Sequence, residues 1–315
     1  MTPSKKVQSD KEQSKRYIPN LAEFYFRPTY DWSHNQASKL FAKTEFLEGM
    51  DLDTILYEDC VQGMKKLPPR SIDLVIADPP FGIDFDGKSS VYNRDENLVV
   101  TGYEEVKEYH AFTDAWLAEL PRIMKPTSTA YVFSGWTNLE SVLSGARKAG
   151  LVTLNHLIWH YPFGVYTKKR FVSSHYHILV FVKNPKKYFF NKIENYPEDV
   201  WLFKRKYRTG QTKNATTLPL AVVSRCVDFS SKPGEIILDP FMGNGTTAVA
   251  AKANFRHFIG FETNEQLRPL LEDEISKVEL GQSYIPYSER LPTIEELSEL
   301  YPKAYREYLR REGES

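Results

Sequence analysis

The stretch EIILDPFMGNGTTAVAAKANFRHFIGFE, residues 235–262, contains the parts of a ligand-binding α/β unit. An apolar run ends in Asp239, a turn follows with glycines at Gly243 and Gly245, and after a helix-forming segment a second apolar run ends in Glu262. Such a turn lets backbone N–H groups approach a ligand closely, and an acidic residue after the next strand can bind ribose hydroxyls. The pattern predicts a nucleotide-like cofactor on a doubly wound, mostly parallel, Rossmann-like sheet.

A second apolar run, IDLVIAD at 72–78, ends in Asp78-Pro79-Pro80-Phe81. Its β-branched residues predict a buried strand that the prolines stop. The exocyclic amine of a nucleobase is a poor nucleophile, and acceptors on its hydrogens stabilise the charge that develops during attack on a methyl donor. Asp78 and the rigid carbonyls of Pro79 and Pro80 could supply those acceptors, and Phe81 could stack on a base outside the duplex. By itself, the motif also fits a simple strand-ending turn.

Between these two stretches the sequence alternates strand-like and helix-like segments. We predict strands at 129–136, 155–161 and 175–183, and helices at 104–124 and 138–149. The chain has a net charge of 0, yet twelve basic and three acidic residues lie between Leu151 and Lys213. Such a local excess fits a nucleic-acid face, although an ordinary solvated surface would look the same.

Several sequence features limit the other functions open to the chain. Cys60 and Cys226 lie in apolar surroundings, which predicts two buried thiols. His175 and His177 could share a strand face as metal ligands, but without a third ligand we interpret them as ordinary strand histidines and expect no metal. No apolar run approaches the length of a membrane span, and the N-terminus has no signal core, so we expect a cytoplasmic protein.

The two motifs together resemble the β group of DNA amino-methyltransferases. The catalytic motif of that family is (Asp/Asn/Ser)-Pro-Pro-(Tyr/Phe), and its cofactor loop is Phe-x-Gly-x-Gly. Here the catalytic motif comes first, the basic segment second and the cofactor loop last, which is the circularly permuted order of that group. The similarity covers roughly residues 51–275 and implies a small target-recognition insert in the methyltransferase sheet.

The resemblance implies S-adenosyl-L-methionine as the cofactor and direct methyl transfer without a metal. Asp59 would lie at the cofactor's adenine, and only Thr216 is carried over from a helix start whose His, Gln and Lys are replaced here. Catalytic roles fall on Asp78, Pro79, Pro80 and Phe81. The residues implied to bind the cofactor are Asp59, Cys60, Thr216, Asp239, Phe241, Gly243, Asn244, Gly245, Thr246 and Glu262.

The resemblance also makes the basic segment the target-recognition region for double-stranded DNA. The residues predicted to bind DNA are Lys168, Lys169, Arg170, Lys204, Arg205, Lys206 and Arg208. Aspartate at the first motif position favours adenine N6 over cytosine N4. A protein or small-molecule amine methyltransferase and an inactive DNA-binding module are the alternatives from other classes. A homodimer and a cognate restriction endonuclease are further candidate partners.

The predicted domain organisation follows from these assignments. We expect a disordered tail at 1–16, an N-terminal arm at 17–50, the catalytic half at 51–150, the target-recognition region at 151–215, the cofactor-binding half at 216–275 and a C-terminal helical extension at 276–315.

Overall fold

The computed structural model describes residues 24–44, 51–80, 108–162, 168–169, 171–204 and 217–313. The described residues belong to two compact units. The larger consists of residues between 35–191 and 198–284, and the smaller of residues between 24–34, 192–197 and 285–313.

The larger unit contains eight described strands and seven described α-helices. The strands are β1 (Thr54–Leu56), β2 (Ile72–Ala77), β3 (Met124–Ser134), β4 (Val152–His160), β5 (His175–Val182), β6 (Val200–Leu202), β7 (Ile236–Asp239) and β8 (His257–Phe261). The helices are α1 (His34–Phe41), α2 (Cys60–Lys66), α3 (Tyr109–Ile123), α4 (Leu139–Lys148), α5 (Leu220–Ser230), α6 (Thr246–Ala253) and α7 (Arg268–Ser276).

The strands form one sheet in the order β1-β8-β7-β2-β3-β5-β4-β6. Among these strands, β5 alone is antiparallel to its neighbours, β3 and β4. Hydrophobic side chains cover both faces. Helices α2, α3 and α4 pack on one face around Trp116 and Val132, and α5, α6 and α7 pack on the other around Ile76 and Val223. The predicted doubly wound, mostly parallel α/β fold is confirmed. Among the described helices, none has the length and apolar character needed to cross a bilayer.

Strand β3 departs from the predicted strand at 129–136. It begins at Met124 and ends at Ser134, because Trp136 starts a short 3-10 turn. The pairing of β3 with β2 shifts register between Ile72 and Leu74, which accommodates Pro126 outside the regular ladder. The predicted helix at 104–124 is observed as α3, with its first predicted residues outside the described part of the chain.

The smaller unit contains α8 (Tyr287–Arg290), α9 (Ile294–Leu300) and α10 (Pro302–Glu312). Residues 24–33 of the predicted arm pack against these helices. The Asp31 carboxylate accepts hydrogen bonds from the backbone N–H groups of Tyr287, at 2.7 Å, and Ser288, at 3.0 Å. The Tyr25 hydroxyl donates to Glu312 at 2.8 Å. Residues 24–34 of the predicted arm therefore belong to one unit with the C-terminal helices, whereas residues 35–44 of the arm belong to the larger unit.

A buried carboxylate joins three central strands of the sheet. Asp73 on β2 is 4% exposed. It accepts hydrogen bonds from Lys125 Nζ on β3, at 2.8 and 2.7 Å, and from the backbone N–H of Ile236 on β7, at 3.0 Å. Because a buried charge is tolerated only with such partners, this contact selects the alignment of the central strands.

Replacing Asp73 with alanine should lower the free energy of unfolding by about 3 kcal/mol, because it removes the partner of Lys125 and leaves the Ile236 N–H unsatisfied. The matched control is Asp114→Ala, which breaks the more exposed ion pair with Lys148 and should cost less than about 1 kcal/mol. Urea unfolding measures both values. Equal losses in the two variants would contradict a special role for Asp73.

Candidate active site

The structure brings the two sequence motifs to one edge of the sheet. Strands β2 and β7 are parallel, with Val75 opposite Leu238. Asp78, which follows β2, and Asp239, the last residue of β7, therefore lie at the same carboxyl edge. Strand β8 lies beyond β7, and Glu262 follows its last residue. Ligands of open α/β sheets bind outside this edge, where acidic groups and loops converge. The site therefore runs along the ends of β2, β7 and β8.

The aspartates at this edge have unusual proton affinities. Burial, followed by the charge of Asp239, raises the pKa of Asp78 to about 7, although Asp78 keeps some accessible surface. Burial also raises the pKa of Asp239 to about 7. Hydrogen bonds from the Thr247 side chain and the Phe241 N–H act to lower this pKa, and the charge of Glu262 acts to raise it. A positively charged ligand at this edge would favour the ionised forms of both groups.

The glycine turn gives the site its backbone geometry. Gly243 and Gly245 have φ values of +50° and +76°, in the left-handed region that other residues rarely adopt. The Gly243 N–H donates to Glu262 Oε2 at 2.9 Å, and the Asn264 N–H donates to Oε1 at 2.8 Å. Each carboxylate oxygen can accept a second hydrogen bond, so Glu262 is held in place and still able to accept from a pair of ribose hydroxyls. These residues fit a nucleoside cofactor.

Some contacts at the site involve residues that the sequence did not single out. Asn244 Nδ2 donates to the Thr217 hydroxyl at 2.8 Å, whereas the neighbouring Thr216 lies outside the described residues. The Arg268 guanidinium lies 3.9 Å from the centre of the Tyr57 ring, after strand β1. For the contact between Asn244 and Thr217, the sequence did hold a signal, because Thr217 replaces a residue that the family usually has at this position. Tyr57 lies in the stretch 56–60 that resembles the family, but the sequence assigned no role to Tyr57 or to Arg268.

Asp59 and Cys60 begin helix α2 next to Tyr57. The Asp59 carboxylate caps the helix by accepting from the Gln62 N–H at 3.0 Å. Cys60 is 4% exposed within the core, and burial raises the pKa of its thiol to about 12. Any contact of Cys60 with a cofactor would therefore come from its backbone. The buried, free thiols expected at Cys60 and Cys226 are both observed.

Aromatic side chains of α3 pack against the cofactor turn. The rings of Phe112 and Trp116 lie 5.7 and 5.4 Å from the ring of Phe241. Pro79 is buried and Pro80 half-buried after β2. Phe81, the predicted stacking residue, lies outside the described residues. Helix α3 therefore fixes the position of Phe241 beside the end of β2.

Basic residues predicted to bind DNA lie at the same sheet edge as Asp78. Ser134, at the carboxyl end of β3, pairs with His177 near the start of β5. The loop between β4 and β5 carries Lys168 and Lys169, and it therefore extends from the carboxyl edge of the sheet, where Asp78 lies. Lys204 follows β6, which is parallel to β4. All three lysines are exposed. The other predicted DNA contacts lie outside the described residues: Arg170, Arg205, Lys206 and Arg208.

The strand histidines contact one another. His156 Nε2 and His177 Nδ1 are 2.7 Å apart, within hydrogen-bond distance. Burial, followed by the charges of His156 and His175, lowers the pKa of His177 to about 4. Within the described residues there is no group of three or more side chains placed to hold a metal ion. These contacts fit the interpretation of ordinary strand histidines.

Comparison with known proteins identifies the family. The profile of the DNA methylase family, the N6/N4 methyltransferases, matches residues 72–273. Type II methyltransferase M.HinfI of Haemophilus influenzae is 30% identical over 248 residues, which cover 72% of this chain and 69% of that protein. DNA adenine methyltransferase YhdJ of Escherichia coli is 30% identical over 250 residues, which cover 69% of this chain and 81% of that protein. The chain therefore belongs to the DNA methylase family.

Solved structures show the same fold. The crystal structure of the M1.HpyAVI–SAM complex has a TM-score of 0.54 at 20% identity and covers 70% of this chain and 98% of that chain. PvuII DNA methyltransferase, described as cytosine-N4-specific, has a TM-score of 0.55 at 15% identity and covers 75% of this chain and 99% of that chain. The fold is thus that of DNA methyltransferases.

Family membership determines the general reaction. The protein is an enzyme that uses S-adenosyl-L-methionine to methylate an exocyclic amino group in DNA. This assignment replaces the alternatives of a protein or small-molecule methyltransferase and of an inactive DNA-binding module. When bound, the cofactor supplies an electrophilic methyl group on a positively charged sulfur.

The raised pKa values predict how stability changes with pH. Asp78 and Asp239 each keep a proton in the folded protein up to a pH of about 7, whereas an unfolded aspartate loses its proton near pH 4. Because the folded state then binds more protons, the contribution of these two groups to the unfolding free energy falls as the pH rises from about 4 to about 7. Asp78→Asn should reduce this slope by up to about 1.4 kcal/mol per pH unit.

Urea unfolding at several pH values across this range measures the slope. Asp273→Asn, a change on the surface of α7, is the matched control. If both variants changed the slope equally, or if Asp78→Asn left it unchanged, the raised pKa of Asp78 would be contradicted.

Proposed function

We propose that the enzyme methylates adenine N6 in double-stranded DNA, with the target base turned out of the helix toward Asp78. The placement of the proline motif next to the cofactor turn is the observation that supports this proposal most strongly. Asp78 follows β2, Asp239 ends the adjacent β7, and the prolines begin directly after Asp78. An amine bound at Asp78 would thus lie beside the position expected for the methyl donor.

In this proposal, Asp78 accepts a hydrogen bond from the target amine, together with a carbonyl of Pro79 or Pro80. These acceptors stabilise the positive charge that the nitrogen gains as the carbon–nitrogen bond forms. Phe81 stacks on the base. The ionised form of Asp78 is the stronger acceptor, and a cationic cofactor close to a carboxyl with a pKa of about 7 favours that form.

The cofactor would extend from Asp239 toward Glu262. Glu262 accepts from the ribose hydroxyls, the glycine turn provides space for the backbone to approach, and Phe241 is held against Trp116. The proposed cofactor contacts remain Asp59, Cys60 through its backbone, Thr216, Asp239, Phe241, Gly243, Asn244, Gly245, Thr246 and Glu262. A homodimer, a cognate endonuclease and a cytoplasmic location also remain predictions.

Adenine is favoured over cytosine by two observations. The first position of the proline motif is Asp78, and in the DNA amino-methyltransferases that this sequence resembles, aspartate at that position usually accompanies adenine as the target base. The similar protein YhdJ is named a DNA adenine methyltransferase and covers 69% of this chain. The cytosine-N4-specific PvuII enzyme shares the fold at only 15% identity, which carries no weight for the choice of base.

Mass spectrometry of nucleosides from DNA methylated by the purified enzyme tests the proposed product. We expect the wild-type enzyme to produce N6-methyladenine. The Asp78→Ala variant should produce none, with its cofactor affinity nearly unchanged, because in this proposal Asp78 contacts the amine. Asp114→Ala on the surface of α3 is the control and should keep the activity. N4-methylcytosine without N6-methyladenine would contradict the choice of base, and an active Asp78→Ala enzyme would contradict the catalytic assignment.

The position of the basic residues predicts a salt-dependent DNA contact at the carboxyl edge of the sheet, where Asp78 lies. Replacing Lys168 and Lys169 with glutamine should lower duplex affinity and reduce the slope of log K against log salt by up to about two, because each phosphate contact contributes about 0.9. The matched control replaces Lys186 and Lys187, exposed lysines after β5 at the opposite edge. An unchanged slope in the first variant, or an equal loss in the second, would place the DNA face elsewhere.

A further inference from the structure

One tryptophan of the larger unit is exposed to solvent. Trp136 keeps 70% of its surface accessible, whereas Trp116, Trp159 and Trp201 are buried. A single exposed apolar side chain needs no explanation by itself, because many protein surfaces carry some. The meaning of this exposed ring therefore depends on where it lies in the fold and on which groups surround it.

Trp136 lies at the carboxyl edge of the sheet, on the strand next to the proline motif. Strands β2 and β3 are parallel, with Ala77 opposite Val132. Asp78 follows the end of β2, and Trp136 comes shortly after the end of β3. There it begins a short 3-10 turn that leads directly into α4, so regular structure on both sides holds its backbone in place. The ring therefore belongs to the edge that carries the proposed amine acceptor.

The strand order separates Trp136 from the proposed cofactor residues and places it next to the basic loop. The central strands follow one another in the order β7-β2-β3-β5. Asp239 ends β7, on the far side of β2 from Trp136. On the near side, the loop before β5 carries the exposed Lys168 and Lys169. Trp136 thus lies between the strand end that carries Asp78 and the lysines predicted to bind phosphates.

The groups around Trp136 indicate a nucleobase as the partner of its ring. The loop with the two lysines also exposes Phe171 fully. Cationic side chains along the phosphates, combined with aromatic rings on which bases stack, are typical of proteins that bind DNA. When a base turns out of a duplex, its neighbours lose a stacking partner, which is part of the cost of base flipping. An aromatic side chain at the gap can replace the lost stacking.

We propose that Trp136 stacks on the DNA at the gap that the target base leaves, and thereby stabilises the state in which the base is turned out. This inference rests on the proposed function, in which the base turns toward Asp78. The exposure of the ring fits this role, because a side chain that enclosed the target base itself would line a pocket. Trp136 is therefore a positioning residue, which acts on the duplex and not on the reacting atoms.

The main test follows the target base directly. A duplex carries 2-aminopurine in place of the target adenine, because the fluorescence of 2-aminopurine rises when the base leaves the stack. At saturating enzyme, Trp136→Ala should give a smaller rise than the wild type. Its single-turnover rate of methylation on the adenine duplex should fall about tenfold, because the contact between ring and base is lost. Trp136→Phe keeps an aromatic ring and should retain most of both signals.

A mismatched duplex separates stabilisation of the turned-out base from general DNA binding. A target adenine opposite cytosine is already weakly paired, so it costs less to turn out. The turned-out state is then well populated even without the indole. The loss of single-turnover rate in Trp136→Ala should therefore be smaller on the mismatched duplex than on the paired one, with cofactor affinity unchanged on both.

Two controls distinguish a DNA contact from a structural role. Urea unfolding should show nearly the same free energy of unfolding for Trp136→Ala and the wild type, because the ring is exposed. The matched variant is Phe190→Ala, which removes another exposed ring, located after β5 at the opposite edge of the sheet. Phe190→Ala should keep the wild-type fluorescence rise and the wild-type rate.

The outcomes separate this inference from the proposed function. If Trp136→Ala keeps the wild-type signals, or loses rate equally on paired and mismatched duplexes, the role of Trp136 is overturned and the proposed function stands. A change in oligomeric state alone would also overturn it and assign the ring to a protein contact. If the wild-type enzyme methylates DNA without a rise in 2-aminopurine fluorescence, base turning and the role of Trp136 are both overturned. The wild-type product tests the choice of adenine separately, because stacking at the gap does not require a particular target base.

Discussion

The parallel pairing of β2 with β7 brings together two segments that lie far apart in the sequence. Leu74 pairs with Ile237, and the Asp73 carboxylate accepts the Ile236 N–H, so side-chain and backbone contacts select the same register. A shift along either strand would leave the buried Asp73 charge without one of its partners. This pairing places Asp78 close to Asp239, so the two motifs proposed to act in catalysis and cofactor binding lie at one edge of the sheet.

The buried carboxyl groups connect the stability of the fold with its chemistry. Burial raises the pKa values of Asp78 and Asp239, which means that their ionised forms are disfavoured when no positive charge is nearby. A cationic cofactor reverses this preference. In the proposed mechanism, a carboxylate at Asp78 is the stronger acceptor for the target amine, and a cationic ligand nearby would favour that ionised form.

The sheet also explains how separate functional regions share an edge. Strand β5 reverses direction beside β3, so the loop before it, with Lys168 and Lys169, extends from the edge that carries Asp78. Helix α3 crosses the same region, where Trp116 packs against Phe241. Residues at the ends of different strands could then bind the cofactor, the base and the duplex, each in its own part of the edge.

The sequence alone determined the fold class and both motifs, because the apolar run before Asp78 and the glycine turn after Asp239 depend on local patterns. It did not reveal the short strands β1 and β6, which depend on pairing with β8 and β4. Only the tertiary structure decided which residues meet across the chain, such as Asp73 with Ile236 or Trp116 with Phe241. Such contacts arise from strand order and helix packing, and residues far apart in sequence carry no local signal of them.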